Sequence, residues 1–326
     1  MPYTMQISDD LKAKIEDLVI TVFTNAIDTP GCAYAIAAIR SLSMLVGATT
    51  ESAGFEAMTI MELQAIIQEG RKVLTEYSQE PSVSSGCALF LRFITRTGLE
   101  IPDFEECRQT LIDRASGFVS AAETSWRKIS KLGSAFITDG VTVLVHGYSR
   151  VVHRVLHDAA VPNSTEFTLL VTQCGAADAK NDEQSAFNKY ASDLSQYVKV
   201  KVVSDLSIGF MMDRVDAVMI GAEAVVETGG IINRTGTYQI AMLADRFDVP
   251  VYVAVEAYKF NKSYPLRQTD LTKLGLISQE VDGSYSSTSV APQRDYTPPE
   301  LITLLFTDLG ALTPNAVSDE LIKLYQ

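Results

Sequence analysis

Cysteine, histidine and tryptophan are scarce in this chain of 326 residues, at four, three and one copies, and each scarcity excludes a class of protein. Cys32, Cys87, Cys107 and Cys174 stand far apart with no Cys-x-x-Cys pair, so the spacing suggests neither a zinc knuckle nor a disulfide framework. Buried free thiols in a reducing compartment are the plain reading. His146, His153 and His157 are the only histidines, and the last two sit at the i, i+4 spacing that lets two imidazoles share a metal. No cluster of further ligands accompanies them, and a zinc site needs three or four, so a packed or solvated pair is expected and no metal.

Long apolar runs are missing too. None approaches the roughly 20 residues that span a bilayer, and the opening MPYTMQISDDLKAK lacks the basic and apolar regions of a signal peptide. A cytosolic protein with no membrane partner is expected. Basic residues are outnumbered, 27 Lys and Arg against 40 Asp and Glu, for a net charge of -13. That field repels phosphate backbones and argues against nucleic acid as a partner. There is no Gly-x-Gly-x-x-Gly after a strand, no Gly-x-x-x-x-Gly-Lys-Ser/Thr and no Gly-x-Ser-x-Gly. Nicotinamide dinucleotides, ATP and the hydrolase nucleophile elbow therefore lose their signatures.

What is present is a chain of ordinary globular composition, 47% hydrophobic and 21% charged, and long enough for two cores. Its first part reads as helices. Ser8 before Asp9 and Asp10 has the form of an N-cap with an acidic first turn, and Leu11, Ile15, Leu18 and Val22 recur at helical spacing. Ile60, Leu63, Ile67 and Leu74 repeat the pattern. From Phe104 through Cys107, Leu111, Ala115, Phe118, Ala122, Trp126 and Ile129 to Phe136 the period predicts one helix of about 50 Å, long enough to join two domains.

After Gly140 the period changes. VTVLVH (141–146), FTLLVT (167–172), VKVKVV (198–203), AVMIG (217–221) and VPVYVAV (249–255) are short β-branched runs separated by helix-length stretches, the alternation of a parallel sheet covered on both faces. The fold class is α/β: a helical domain over residues 1–125, its last helix reaching about 139, and a doubly wound, mainly parallel sheet domain over 126–326. Residues Thr269 to Pro299 are Ser/Thr/Pro-rich and read as a long exposed excursion. Thr297-Pro298-Pro299-Glu300 has capping-box form and predicts a helix through LITLLF, and Thr313-Pro314 starts a last helix.

In a doubly wound sheet, polar residues at the strand ends converge on one crevice. Here they are His146, Gly147, Tyr148, Ser149 and Arg150 after the first strand, Thr172 at the end of the second, Glu223 after the fourth, and Glu256 and Lys259 after the last. The segment Thr228 to Thr237 adds Gly229, Gly230, Asn233 and Arg234. Its glycines and a following helix N-terminus suit an anion such as the phosphate of a small ligand, although glycines also simply end strands.

At these segments a resemblance appears. GAEAVVETGGIINRTGTYQIA, DGVTVLVHGYSRVVHRVL, SSGCALFLRFI and the final LITLLFTDLGALTPNAVSDELIKLY resemble the regulatory subunits of eukaryotic translation initiation factor 2B, and the last segment is of the alpha type. The likeness runs from about Ala35 to the C-terminus. It implies a Rossmann-like C-terminal domain, a homodimer, and assembly with beta, gamma, delta and epsilon subunits into a guanine nucleotide exchange complex. It also implies sensing of the phosphorylated alpha subunit of translation initiation factor 2, with exchange restrained under stress. No cofactor is required. A sugar phosphate or nucleoside monophosphate is the implied ligand, with Ser84 and Ser85 joining the crevice residues.

The same superfamily holds methylthioribose-1-phosphate and ribose-1,5-bisphosphate isomerases, which supply the enzymatic alternative. Their proton-transferring cysteine corresponds to Gly147 and their aspartate to Glu223. A glycine cannot move protons. The segment Gly31-Cys32-Ala33-Tyr34-Ala35-Ile36-Ala37 also lacks the leading arginine of the isomerase motif, whereas Asn233-Arg234 keeps the charge of its Asn-Lys pair. The resemblance thus implies a binding pocket without turnover.

Overall fold

Ser8 starts the first helix as its position suggests: its hydroxyl accepts from the Leu11 amide at 3.3 Å, while Asp9 and Asp10 place negative charge in the first turn. The computed structural model describes residues 7–29, 32–49, 57, 59–78, 80–101, 103–173, 186–273 and 292–325. The chain divides into two compact units, residues 1–124 with 324–326, and residues 125–323.

The first unit is helical: α1 (Asp9–Ile27), α2 (Tyr34–Ala48), α3 (Ile60–Ser78), α4 (Pro81–Glu100) and α5 (Phe104–Thr124). Helix α2 lies against the other four. Its small residues Ala35, Ala37 and Ala38 are fully buried, which lets neighbouring helices approach closely, while Leu42 and Leu45 fill the core with Val19, Phe23, Leu63, Ile67 and Ile94. Cys87 and Cys107 belong to this core, and burial pushes the Cys87 thiol up to about 12, so it is inert. Cys32 is half-buried. Cys174 lies outside the described residues.

The single helix expected from Phe104 to Phe136 is two helices, α5 and α6 (Trp126–Ser134). Between them stands the single residue Ser125, whose backbone keeps helical angles (φ -54°, ψ -38°). Periodicity of side chains does not register such a break.

The second unit continues with β1 (Thr142–Val145), α7 (Arg150–Ala160), β2 (Thr168–Thr172), α8 (Ala186–Leu194), β3 (Lys199–Val203), α9 (Ile208–Met211) and β4 (Ala217–Gly221). After these come β5 (Ala224–Val226), β6 (Ile231–Arg234), α10 (Thr237–Arg246), β7 (Val251–Ala254), β8 (Phe260–Asn261) and α11 (Asp270–Lys273), then β9 (Arg294–Thr297), β10 (Leu304–Thr307), β11 (Gly310–Leu312) and α12 (Val317–Tyr325). The main sheet has the order β11-β10-β7-β4-β1-β2-β3, parallel throughout except for the β10–β11 hairpin. The chain starts in the middle, winds out to β3 and returns to β4, so the order reverses between β1 and β4, the switch point at whose C-terminal ends sheets of this kind place their ligand crevice. Strands β1, β4 and β7 are buried on both faces, as their continuous apolar runs require, while the edge strand β3 exposes Lys199 and Lys201. A second sheet, β8-β5-β6-β9, follows directly from the end of β4.

Two further expectations change. LITLLF is no helix: Pro299–Leu301 make one turn of 3-10 helix, and the run then pairs as β10 with β7, Leu305 beside Val253. Burial in the sheet overrides the capping signature, because a parallel strand satisfies the backbone of an apolar run as well as a helix does. The excursion from Thr269 to Pro299 is also ordered in part, since Arg294–Thr297 forms β9 with Tyr296 and Thr297 buried. Residues 274–291 of that stretch lie outside the described residues.

Candidate functional site

The crevice is built from the loops after β1, β2, β4 and β7 together with the small sheet. His146, one residue past β1, is buried at its base. Its Nε2 donates to the Thr235 carbonyl at 3.0 Å, and because a carbonyl only accepts, that nitrogen carries the proton. The Thr172 hydroxyl then donates to Nδ1 at 2.7 Å. Burial lowers the imidazole pKa, so the ring is neutral and serves as a fixed bridge between the ends of β1 and β2 and the start of α10. Gly147, also buried, brings no side chain to this end of β1. Ser149 caps α7, its hydroxyl accepting from the Val152 amide at 3.4 Å, and Arg150 is the first residue of that helix. Tyr148 is partly exposed at the rim, packed on Tyr190 with the Lys189 ammonium 5.0 Å from its ring centre.

Helix α10 begins at this crevice, yet its N-terminus is already occupied. Asp295 on β9 accepts from the amides of Gly236 (2.7 Å) and Tyr238 (3.1 Å) through Oδ2. Burial pushes its carboxyl up to about 6 in spite of these bonds, and its Oδ1 is buried without a hydrogen-bond partner. The expected cradle of glycine amides beside Arg234 therefore does not form. Gly229 and Gly230 make the turn of the β5–β6 hairpin, with the Gly229 amide bonded to Val226 (2.8 Å) and the Gly230 amide to the Thr228 hydroxyl (3.3 Å). They sit at the opposite end of β6 from Arg234, roughly 13 Å away at the rise of a strand. Glycine is needed there for packing: a Cβ on Gly229, whose φ is +85°, would stand 2.1 Å from the Pro314 carbonyl oxygen, and one on Gly230 would meet the Tyr296 ring at 2.6 Å.

Asn233 is buried and donates to the Thr237 hydroxyl at 3.0 Å, which donates onward to the Arg234 carbonyl at 2.6 Å. Arg234 ends β6 exposed, directly opposite Arg294 in the β6–β9 register. Arg294 in turn forms an ion pair through Nε with Glu223. Lys259 reaches from the end of β7 to the Ala222 carbonyl (3.1 Å) and to Glu256 (2.9 Å), whose other oxygen accepts from the Tyr258 hydroxyl (2.9 Å). Burial alone would raise the Glu256 carboxyl, but the Lys259 charge and these hydrogen bonds outweigh it and hold the carboxyl below the usual range.

The structure thus gathers His146, Thr172, Glu223, Asn233, Arg234 and Lys259 around the strand ends with Tyr148, Ser149 and Arg150 at the rim, and it moves Gly229 and Gly230 away. Ser84 and Ser85 lie in the first turn of α4 in the helical unit, where the buried Ser85 hydroxyl donates to the Pro81 carbonyl at 3.1 Å. Asp295, Arg294 and Thr235 were not legible as site residues. His153 and His157 face Asp193 and Asp158, each at 3.5 Å, and no group of three metal-ligating side chains occurs among the described residues. Nor, among those residues, is any helix long and apolar enough to cross a membrane.

The chain is 41% identical over 302 residues to the translation initiation factor eIF2B subunit alpha of Dictyostelium discoideum, covering 88% of this chain and 91% of that protein. It is 28% identical over 228 residues to the ribose 1,5-bisphosphate isomerase of Archaeoglobus fulgidus, covering 64% and 66%. Its fold matches a chain in the crystal structure of the tetrameric eIF2B-beta2-delta2 complex from C. thermophilum with a TM-score of 0.77 at 21% identity, over 97% of this chain and 95% of that one. The model of the Initiation factor 2 subunit family matches residues 30–314, and the chain belongs to that family.

Proposed function

We propose that the chain is a regulatory, non-catalytic subunit of a translation initiation factor 2B guanine nucleotide exchange complex, of the alpha type. The observation that carries this reading is the 41% identity to an alpha subunit along nearly the whole of both chains. In this role it forms a homodimer in the cytosol, joins beta, gamma, delta and epsilon subunits, and restrains exchange when the alpha subunit of translation initiation factor 2 is phosphorylated. No cofactor takes part. The crevice at the strand ends binds a sugar phosphate or nucleoside monophosphate and, by linkage, stabilises the conformation that holds it.

Two features of the crevice support binding without turnover. Gly147 offers no group to move a proton, and Glu223 is engaged by Arg294. Co-expression with the four other subunits, followed by native mass measurement, should give one complex containing two copies of this chain. Exchange assayed with phosphorylated substrate factor should be restrained only when the chain is present. A lone monomer, or restraint that is indifferent to the chain, overturns the reading.

The isomerase likeness supports a second reading, a sugar-phosphate aldose-ketose isomerase using Glu223. Incubation with ribose 1,5-bisphosphate or methylthioribose 1-phosphate decides it. Ketose formation abolished by Glu223→Gln would establish an enzyme.

A further inference from the structure

Arg234 and Arg294 are direct cross-strand partners in the antiparallel β6–β9 pair, which sets their Cβ atoms on one face. Like charges in that relation weaken a sheet, so strand pairing does not account for them. Other groups suited to an anion at these strand ends are held by deeply seated carboxylates: the α10 amides by Asp295, and Lys259 by Glu256, whose side chain is 6% exposed. The carboxylate on Arg294 differs. The Glu223 side chain is 24% exposed against 11% for Arg294, so it sits toward solvent on a guanidinium that lies deeper.

We propose that the Glu223–Arg294 ion pair is a latch on an anion site, in which Glu223 stands in for the phosphate of a phosphate monoester. The incoming phosphate takes the Arg294 fork, with Arg234 one strand away, and Glu223 swings out. The fork geometry of guanidinium matches a phosphate in two parallel bonds, which a lysine would not supply. The inference rests on the ligand-binding reading of the crevice and adds to it a residue, Arg294, and an internal competitor, Glu223.

Calorimetric titration of the full chain with inorganic phosphate, ribose 5-phosphate and unphosphorylated ribose tests it. Glu223→Gln keeps the shape and removes the competing charge, so it should bind both phosphate probes about fivefold more tightly, the value of losing one partly exposed ion pair, with ribose unchanged. Affinity for the phosphate probes that is unchanged or weaker, or an equal gain for ribose, overturns the latch. Arg294→Lys keeps a cation for Glu223 but loses the fork, and should weaken both phosphate probes about tenfold. Unchanged affinity in that variant overturns the proposal even if Glu223→Gln does not fold. A chain that assembles with its partner subunits while Glu223→Gln shows no gain loses the latch and keeps its place as a subunit. A wild-type chain that binds neither phosphate probe removes the ligand-binding reading and the latch together.

Discussion

The ring of His146 fills the space that a side chain on Gly236 would need: a Cβ there would stand 2.9 Å from both Cε1 and Nε2. Gly236 also has a φ of +108°, and it directly follows Thr235, whose carbonyl receives the His146 proton. One glycine therefore lets the start of α10 close onto the end of β1. Gly236→Ala should destabilise the protein by about 2 kcal/mol or more, combining left-handed strain with a clash against a ring that two hydrogen bonds hold in place. Urea unfolding of the variant measures it, and a loss below about 0.5 kcal/mol would mean that the ring moves freely.

Asp295 gives the chain a pH dependence with a definite sign. Its carboxyl titrates at about 6 in the folded state against 3.8 for an ordinary aspartate, chiefly through burial. The folded state thus holds this proton more tightly, and ionising Asp295 costs stability progressively as pH rises from 3.8 to about 6. Asp295→Asn keeps an oxygen for the amides of Gly236 and Tyr238 and removes the titration. The stability of the variant relative to wild type should climb across that window and level off above it. His146, whose folded pKa lies below 6.5, loses stability in the other direction as pH falls, and because the Asp295 charge favours its protonation, the two groups titrate as a coupled pair that Asp295→Asn separates. Melting temperatures at a series of pH values decide the matter. A constant difference would show that the carboxyl is not raised.

The parallel sheet was legible because strands buried on both faces must be continuous apolar runs, as in TVLV of β1 and AVMIG of β4. The small sheet was not, since strands of two to four residues such as Phe260–Asn261 carry no period. Asp295 is not legible in the sequence for a related reason. Its role is fixed by a helix start 59 residues earlier in the chain, and nothing adjacent to it in sequence marks a cap. The glycines at 229 and 230 are visible in the sequence as a special position, but the neighbours that require them are not, because Pro314 beside Gly229 and Tyr296 beside Gly230 come from far along the chain. His146 and Glu223 were found by a topological rule, the convergence of strand ends, that needs only the strand assignments.

Gly229→Ala should be the more damaging of the two glycine substitutions. The clash at 2.1 Å is with backbone, the Pro314 carbonyl, rather than with a side chain that can turn aside, and φ is +85° as well. We expect a loss of about 3 kcal/mol or more, or failure to accumulate as soluble protein. Thermal unfolding of Gly229→Ala beside Gly236→Ala tests the ranking, and the reverse order would show that the segment before α12 yields more easily than the imidazole.

Lys259 bears on the difference between a structural and a ligand-binding cation. Its ammonium lies 2.9 Å from Glu256, which is 4% exposed, and donates to the Ala222 carbonyl at 3.1 Å, so it ties the ends of β7 and β4 together. Lys259→Met leaves a buried carboxylate without its counter-charge, a change that costs about 3 kcal/mol or more. Adding Glu256→Gln removes the stranded charge and keeps an oxygen for the Tyr258 hydroxyl, so the double variant should regain most of that loss. What is not regained belongs to the Ala222 carbonyl, whose lost donor is worth about 1 kcal/mol. Urea unfolding of the single and double variants separates the two contributions. If the double variant is as unstable as Lys259→Met, the charge pair is not what Lys259 supplies, and the Ala222 carbonyl carries the whole effect.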